Sequence, residues 1–234
     1  SRNQTTLERF QARSLPQRSS PQRLNPGRLT LMSDNHVLLI DGSEIALTPL
    51  GGPPPTLDTI SHSLSLINRF SGHTHRAYSV LEHSLLVYDI AKLEYPGLPK
   101  RAFRAMLLHD AAECVTGDIT APVKKALGSC WKRFEDAVEL FVWSGIDPYL
   151  PGDMLEFAKQ IRRCDLLALE IERRDLLTWD ARRNSRWFID SPSGSTPAFA
   201  SALLTVPAEV VTESALRTLR ARFYTLCGET YTQR

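Results

Sequence analysis

The stretch Ala102-Phe103-Arg104-Ala105-Met106-Leu107-Leu108 is apolar on nearly every side of a helix, and it runs straight into His109-Asp110. A helix that is hydrophobic all round has to lie inside the protein. The chain must therefore surround this helix with others and let two polar groups project from its end. Ala102, Ala105 and Met106 share the face of His109, and Asp110 lies about 100° further round the cylinder. An ionised carboxylate buried without a partner costs roughly several kcal/mol, so a compensating charge is required. A cation supplies it.

The same anomaly occurs on two other predicted helices. His83 sits within Val80-Leu81-Glu82-His83-Ser84-Leu85-Leu86-Val87, and Asp165 lies on the stripe Met154, Ala158, Ile161, Asp165, Ala168, where apolar neighbours one turn away predict burial. Taken singly, each has a plainer reading. A lone helical His is more often a satisfied core or surface residue, and Asp165 alone more often pairs with Arg162, Arg163, Arg173 or Arg174. Together, two imidazoles and two carboxylates on three core helices make a metal-ligand set: His83, His109, Asp110 and Asp165. Nitrogen and oxygen donors without thiolate suit one divalent ion of Co, Mn, Zn, Fe, Ni or Mg, with imidazole favouring transition metals. Four protein ligands on a metal that takes about six leave places for water and a phosphate oxygen.

The 234 residues support one main core. Residues 1–28 carry six Arg against Glu8, together with Pro16, Pro21 and Pro26, and read as a basic, flexible arm; a short helix at Thr6–Ala12 would be its one ordered piece. The remainder is slightly acidic, which argues against a duplex-binding surface and makes nucleic acid an unexpected partner. Residues 29–57 hold a β-hairpin, His36–Ile40 and Glu44–Thr48 around Asp41-Gly42, then a Gly51-Gly52-Pro53-Pro54-Pro55 loop that breaks regular structure. Residues 58–234 form the helical domain. Its predicted helices are Asp58–Phe70 with Asp58 as N-cap, Ser79–Lys92, Pro99–Val115, a short piece ending near Leu127, Ser129–Ser144, Gly152–Trp179 and about Pro207 to Leu226, with a loop at Ser191–Ser195. The fold class is thus all-α with a small N-terminal β-hairpin. No stretch approaches the about 20 consecutive apolar residues of a membrane span, and the Arg-dotted start lacks the apolar run of a secretory signal, so cytoplasmic residence is the expectation. Cys114, Cys130, Cys164 and Cys227 form no CxxC pair and read as reduced, mostly buried thiols.

The pattern of H, then HD, then D resembles the HD superfamily of metal-dependent phosphohydrolases. Tyr78-Ser79-Val80-Leu81-Glu82-His83-Ser84-Leu85 is similar to the first-ligand helix of bacterial 5′-deoxynucleotidases (the YfbR type) and of related phage and prophage phosphohydrolases. The run from His109 to Lys124 is close to their HD-x-x-E-x-x-x-GD-I-x-x-P-x-K signature, and Glu170-Ile171-Glu172-Arg173-Arg174-Asp175 has a prophage counterpart. The resemblance covers roughly Asp58 to Leu177.

That resemblance implies an HD-domain helical fold, the four metal ligands already read, and two catalytic carboxylates, Glu113 and Asp118. Glu113 also follows His109 by four residues and Asp110 by three, so it shares their helix face, where it can orient or deprotonate a water. Glu113 as a mere partner of the ligands, and Asp118 as a simple cap of the next turn, are the plainer alternatives. The resemblance further places Arg69, Phe70 and Lys124 at the substrate, with Phe70 where the characterised 5′-deoxynucleotidases carry Trp; Lys124-Lys125 could equally be a solvated helix face. His62, His73 and His75 stay outside the ligand set.

The implied activity is hydrolysis of the 5′-phosphate ester of (deoxy)nucleotides, with nucleoside and phosphate as products. A dNTP triphosphohydrolase releasing triphosphate is the alternative enzyme, and a catalytically silent nucleotide-binding sensor the alternative of another class. Relatives form dimers or larger rings, so a homo-oligomer is expected, with a small-molecule nucleotide as partner and no membrane.

Overall fold

A computed structural model describes residues 35–177 and 213–231. The predicted arm with its Thr6–Ala12 helix, the Ser191–Ser195 loop and the first residues of the predicted last helix lie outside the described residues. Within them the chain is mostly helical, with a small sheet at its N-terminal side.

The hairpin forms where the turn dipeptide places it. Strand β1 (His36–Leu38) pairs antiparallel with β2 (Glu44–Leu47), Val37 opposite Ile45. Asp41 ties the turn down: its Oδ1 accepts from the Ser43 amide and hydroxyl, and its Oδ2 accepts from Thr59 Oγ1 at 2.9 Å. A third strand, β3 (Leu50–Gly51), pairs with β2 and corrects the expectation that regular structure stops at Gly51. The Gly/Pro loop then packs on helix α5 (Ala121–Ile146), where a Cβ on Gly145 would collide with the Pro54 ring. Gly145→Ala is therefore expected to destabilise the fold by about 1–3 kcal/mol, the range for overpacking. The thermal midpoint measures it, and an unchanged midpoint would mean that the proline loop yields without cost.

Helix α1 (Leu57–Leu66) starts one residue earlier and ends sooner than its predicted span. Its N-cap is Thr56 rather than Asp58: Thr56 Oγ1 accepts from the Thr59 amide at 3.2 Å, leaving Asp58 in the first turn where a carboxylate suits the helix dipole. The chain between α1 and α2 (Val80–Glu94) contains a short 3-10 turn, Arg69–Gly72. It is closed by two antiparallel backbone bonds, Arg69 N–H to the Tyr78 carbonyl and Val80 N–H to the Ile67 carbonyl. Helix α2 opens on a full capping box: Ser79 Oγ accepts from the Glu82 amide and Glu82 Oε2 from the Ser79 amide. Arg76 donates to the other Glu82 oxygen at 3.0 Å, fixing the approach of the loop.

Helix α2 is the axis of the core. It is buried from Val80 to Tyr88, as its unbroken apolar run demands, and α1, α3 (Lys100–Leu108), α7 (Ala158–Leu176) and α8 (Glu213–Thr230) pack around it. Helix α8 presents Leu219, Phe223 and Cys227, a stripe of successive i+4 steps. All four cysteines are free, and only Cys130 is exposed.

Three helix boundaries differ from, or refine, the sequence reading. The predicted Pro99–Val115 helix is interrupted: after Leu108 the backbone tightens into i→i+3 bonds, Ala111 N–H to Leu108 O and Glu113 N–H to Asp110 O, before the short α4 (Glu113–Thr116). The predicted Gly152–Trp179 helix is two helices, α6 (Leu150–Glu156) and α7, bent at Phe157. The short piece ending near Leu127 and the Ser129–Ser144 segment meet as expected at Gly128, whose φ of 69° breaks an otherwise continuous α5.

Candidate metal centre

His83 projects from the middle of α2 and is fully buried. Its Nδ1 lies 2.6 Å from Glu172 Oε1 on α7, so the carboxylate accepts the Nδ1 proton and Nε2 faces the other way. His109 is fixed by the same logic. Its Nδ1 lies 2.8 Å from the Met106 carbonyl, an acceptor only, which puts the ring proton on Nδ1 and leaves the Nε2 lone pair free. The carbonyl of Leu108, just before it, accepts from Trp143 Nε1–H at 3.1 Å, so α5 holds the end of α3 in place.

The two Nε2 atoms face each other at 3.3 Å. Asp110 Oδ2 stands 3.4 Å from His83 Nε2 and 3.2 Å from His109 Nε2, and Asp165 Oδ1 stands 3.4 Å from His83 Nε2. Donor atoms of His83, His109 and Asp165 all lie within 4.8 Å of one another, so this cluster is able to hold one metal ion. Two imidazole lone pairs and carboxylate oxygens pointing at one another repel unless a positive charge lies among them. Ring nitrogens turned inward by hydrogen bonds on their far sides are the usual arrangement around a metal. The cluster contains no thiolate, in keeping with the nitrogen and oxygen donor set read from the sequence.

Charge points the same way. Among the described residues Arg69 is the guanidinium set against Asp110 and Glu172, and with Asp165 the group holds three carboxylates. Arg69 and the surface Arg162, which meets Asp165 Oδ2, stand against three anions, so with both rings neutral the group is short of positive charge. In the protein alone that demand falls on His83. Burial and Arg69 press its proton off, but Glu172 and Asp165 outweigh them and push its pKa up to about 10. Asp110 and Asp165 are held below the usual carboxylate range; burial opposes this, and the neighbouring imidazoles overcome it.

Asp165 corrects one expectation. It is not buried on an apolar stripe: its side chain is 24% exposed, because Ala158 faces solvent and Ile161 is only half covered. It lines a cleft. Its Oδ2 also takes the partner foreseen by the plainer reading, Arg162 at 3.1 Å, so one carboxylate meets the ring cluster and a surface arginine together.

The cleft, of about 250 Å³, is lined by Asp110 and Asp165 and by Arg69, Phe70, Glu113, Asp118, Lys124 and Arg162 among others. Every predicted site residue except His83 and His109 thus lines it. The i→i+3 tightening after Leu108 explains the position of Glu113: residues three apart eclipse in such a turn, so Glu113 stands over Asp110. Glu113 is buried, its Oε2 has no hydrogen-bond partner, and burial, Asp110 and Asp118 raise its pKa well above the usual range. Asp118 follows Gly117, whose φ of 73° ends α4, and burial raises its carboxyl as well. The N-cap of α5 is Thr120, so the simple capping role for Asp118 does not hold. Lys124 is half buried against Glu135 at 2.6 Å and 4.0 Å from Glu113 Oε1, whereas Lys125 is exposed.

Arg69 is not a surface residue. Its Nε donates to Glu172 Oε2 at 3.2 Å and its Nη1 lies 3.6 Å from Asp110 Oδ2; burial opposes its charge, and these carboxylates hold its pKa above the ordinary value. Phe70 and Ser71 after it both adopt left-handed conformations, φ of 56° and 52°. Each such residue costs about 1–3 kcal/mol, and strain of this kind gathers at functional sites. His62 instead meets Arg220, and His75 bonds to the Leu176 carbonyl, so neither belongs to the cluster.

The residue that sequence reasoning passed over is Glu172. Its signal was present in the Glu170-Ile171-Glu172 run, seven residues or two helical turns beyond Asp165, on the same face of a helix packed against α2.

Comparison with known proteins adds kinship without an activity. No protein-family model matches the chain. An uncharacterized protein of Rhodobacter capsulatus is 32% identical over 136 residues, 56% of this chain and 68% of that protein. The uncharacterized protein YfdR of Escherichia coli is 34% identical over 122 residues, 51% of this chain and 60% of that protein.

Proposed function

The chain belongs to one family with the uncharacterized Rhodobacter capsulatus protein, which offers no activity to borrow, and from the site together with the motif resemblance we propose that it is a metal-dependent phosphohydrolase, acting, as that resemblance implies, on the 5′-phosphate ester of (deoxy)nucleotides. One observation carries the reading: a single cleft brings Asp110 and Asp165 of the His and Asp cluster together with Glu113, a buried carboxylate whose Oε2 lacks a hydrogen-bond partner, and with a guanidinium, Arg69. In this reading His83, His109, Asp110 and Asp165 hold one divalent ion, which when bound supplies Lewis acidity toward a phosphoryl oxygen.

Each residue then has a defined task. Arg69, held rigid by two carboxylates, grips a phosphoryl oxygen with its remaining N–H groups. Glu113, which lines the same cleft, takes the proton of the attacking water on its carboxylate. Asp118, at the same cleft, returns a proton toward the leaving 5′-oxygen; its raised pKa suits that role. Phe70 offers a ring for the sugar or base. A 5′-deoxynucleotidase that releases nucleoside and phosphate is the preferred form.

A second substrate class is favoured by one specific feature. Lys124 and Arg162 also line the cleft, and two cations beyond Arg69 suit the longer phosphate chain of a dNTP. A panel of dAMP, AMP, dATP and ATP with Mg, Mn and Co separates the two by product, phosphate or triphosphate. Hydrolysis in the parent and its loss in His109→Ala are the expected results. Turnover by His109→Ala at the parent's rate would end the reading, and so would a parent chain inert on every substrate and metal.

A further inference from the structure

We propose that Glu172 is a positioning residue that couples cation binding at the His and Asp cluster to the readiness of Arg69 for an anion, an inference that rests on the phosphohydrolase reading. Glu172 is fully buried on α7, and both of its oxygens are engaged on different elements. Oε1 accepts from His83 Nδ1–H on α2, and Oε2 accepts from Arg69 Nε–H on the 3-10 turn. One rigid carboxylate therefore sets both the ring plane that aims His83 Nε2 and the orientation of the guanidinium.

The surroundings make this bridge consequential. Arg69 opens a turn that continues through two left-handed residues, Phe70 and Ser71; its own N–H is tied to the Tyr78 carbonyl, while the direction of its side chain is set by Glu172 and Asp110. Its other carboxylate neighbour, Asp110, is itself 3.4 Å from His83 Nε2. A cation that draws on His83 and Asp110 changes what each offers to Glu172 and Arg69, and an anion on Arg69 acts back through the same two carboxylates. Such coupling is reciprocal: whatever factor phosphate adds to metal affinity, metal adds to phosphate affinity.

The test titrates Mn²⁺ into the full chain by calorimetry, with and without inorganic phosphate, for the parent, Glu172→Gln, Glu172→Asp and Glu170→Gln. In Glu172→Gln one amide face can no longer accept, so metal affinity is expected to fall about 10–100-fold, the usual cost of losing an outer partner of a ligating His. The enhancement by phosphate should collapse toward unity. Glu172→Asp keeps the charge on a shorter arm that cannot span both partners, and should lose the phosphate linkage even where Glu172→Gln fails to fold. Glu170→Gln, on the same helix but paired to Arg173, should match the parent.

A merely structural role would lower the thermal midpoint while leaving the metal Kd and the phosphate linkage of the folded protein untouched, and that result overturns the proposal. Linkage intact in Glu172→Asp overturns it equally. A parent that binds no divalent ion at all strikes at the phosphohydrolase reading itself, so the two failures are told apart.

Discussion

On the proposed function, His83→Ala is expected to leave a folded chain that neither retains a divalent ion nor hydrolyses nucleotides. The effect should be the largest of any single substitution. His83 is the buried hub of the cluster: its Nε2 lies within 3.4 Å of His109, Asp110 and Asp165 alike. Outer partners of a ligating His are worth about 10–100-fold in metal affinity, and removing the ring itself should cost about 10³-fold or more on the same scale. Equilibrium dialysis against Co²⁺ or Mn²⁺ reads the affinity, and the panel above reads the rate. The substitution also leaves Glu172 buried with Arg69 as its charged partner, so some loss of thermal midpoint accompanies it. His83→Gln keeps an acceptor and most of the volume, and separates stability from ligation. Metal retained at parental affinity by the alanine variant would remove His83 from the site.

Much of this arrangement was legible in the sequence because burial and polarity conflict openly along it. An apolar helix that ends in His-Asp, and a His in the middle of a second apolar helix, are anomalies in one dimension before they are neighbours in three. The hairpin was legible for a different reason, since Asp41-Gly42 between apolar runs specifies a turn chemistry. What stayed hidden depends on packing between elements. Glu172 reads as one more charge in a charged helix until α7 lies against α2, and Arg69 reads as a surface residue until Glu172 and Asp110 close on it. The exposure of Asp165 was misread because the stripe argument assumes that every position on a helix face meets the core, whereas α7 bends away at Phe157 and leaves Ala158 in solvent. Helix ends were the other weak point. Thr56 outcompetes Asp58 for the cap, and the tight turn after Leu108 cuts a helix whose composition gives no break signal.

Glu113→Gln should keep the metal and lose the chemistry. The amide preserves volume and leaves the cluster of His83, His109 and Asp165 untouched, so the Kd for Mn²⁺ should stay within a few-fold of the parent. Loss of a positioned general base should lower kcat by about 10²–10⁴-fold, or about 3–5 kcal/mol of transition-state stabilisation. Stability should move in the opposite sense. Burial and the neighbouring Asp110 and Asp118 raise the Glu113 carboxyl above its ordinary value of 4.5, so the folded chain holds this proton more tightly than the unfolded one. The contribution of Glu113 to stability is thus whole below pH 4.5 and declines as the pH rises through the raised folded value. The metal-free glutamine variant, which cannot ionise, should therefore melt above the parent at neutral pH, and the gap should close in acid. A catalytic carboxylate kept at the expense of stability would show both signs at once. A variant with parental kcat would move Glu113 out of the reaction, and one with a parental melting profile across pH would mean that its carboxyl titrates as if exposed.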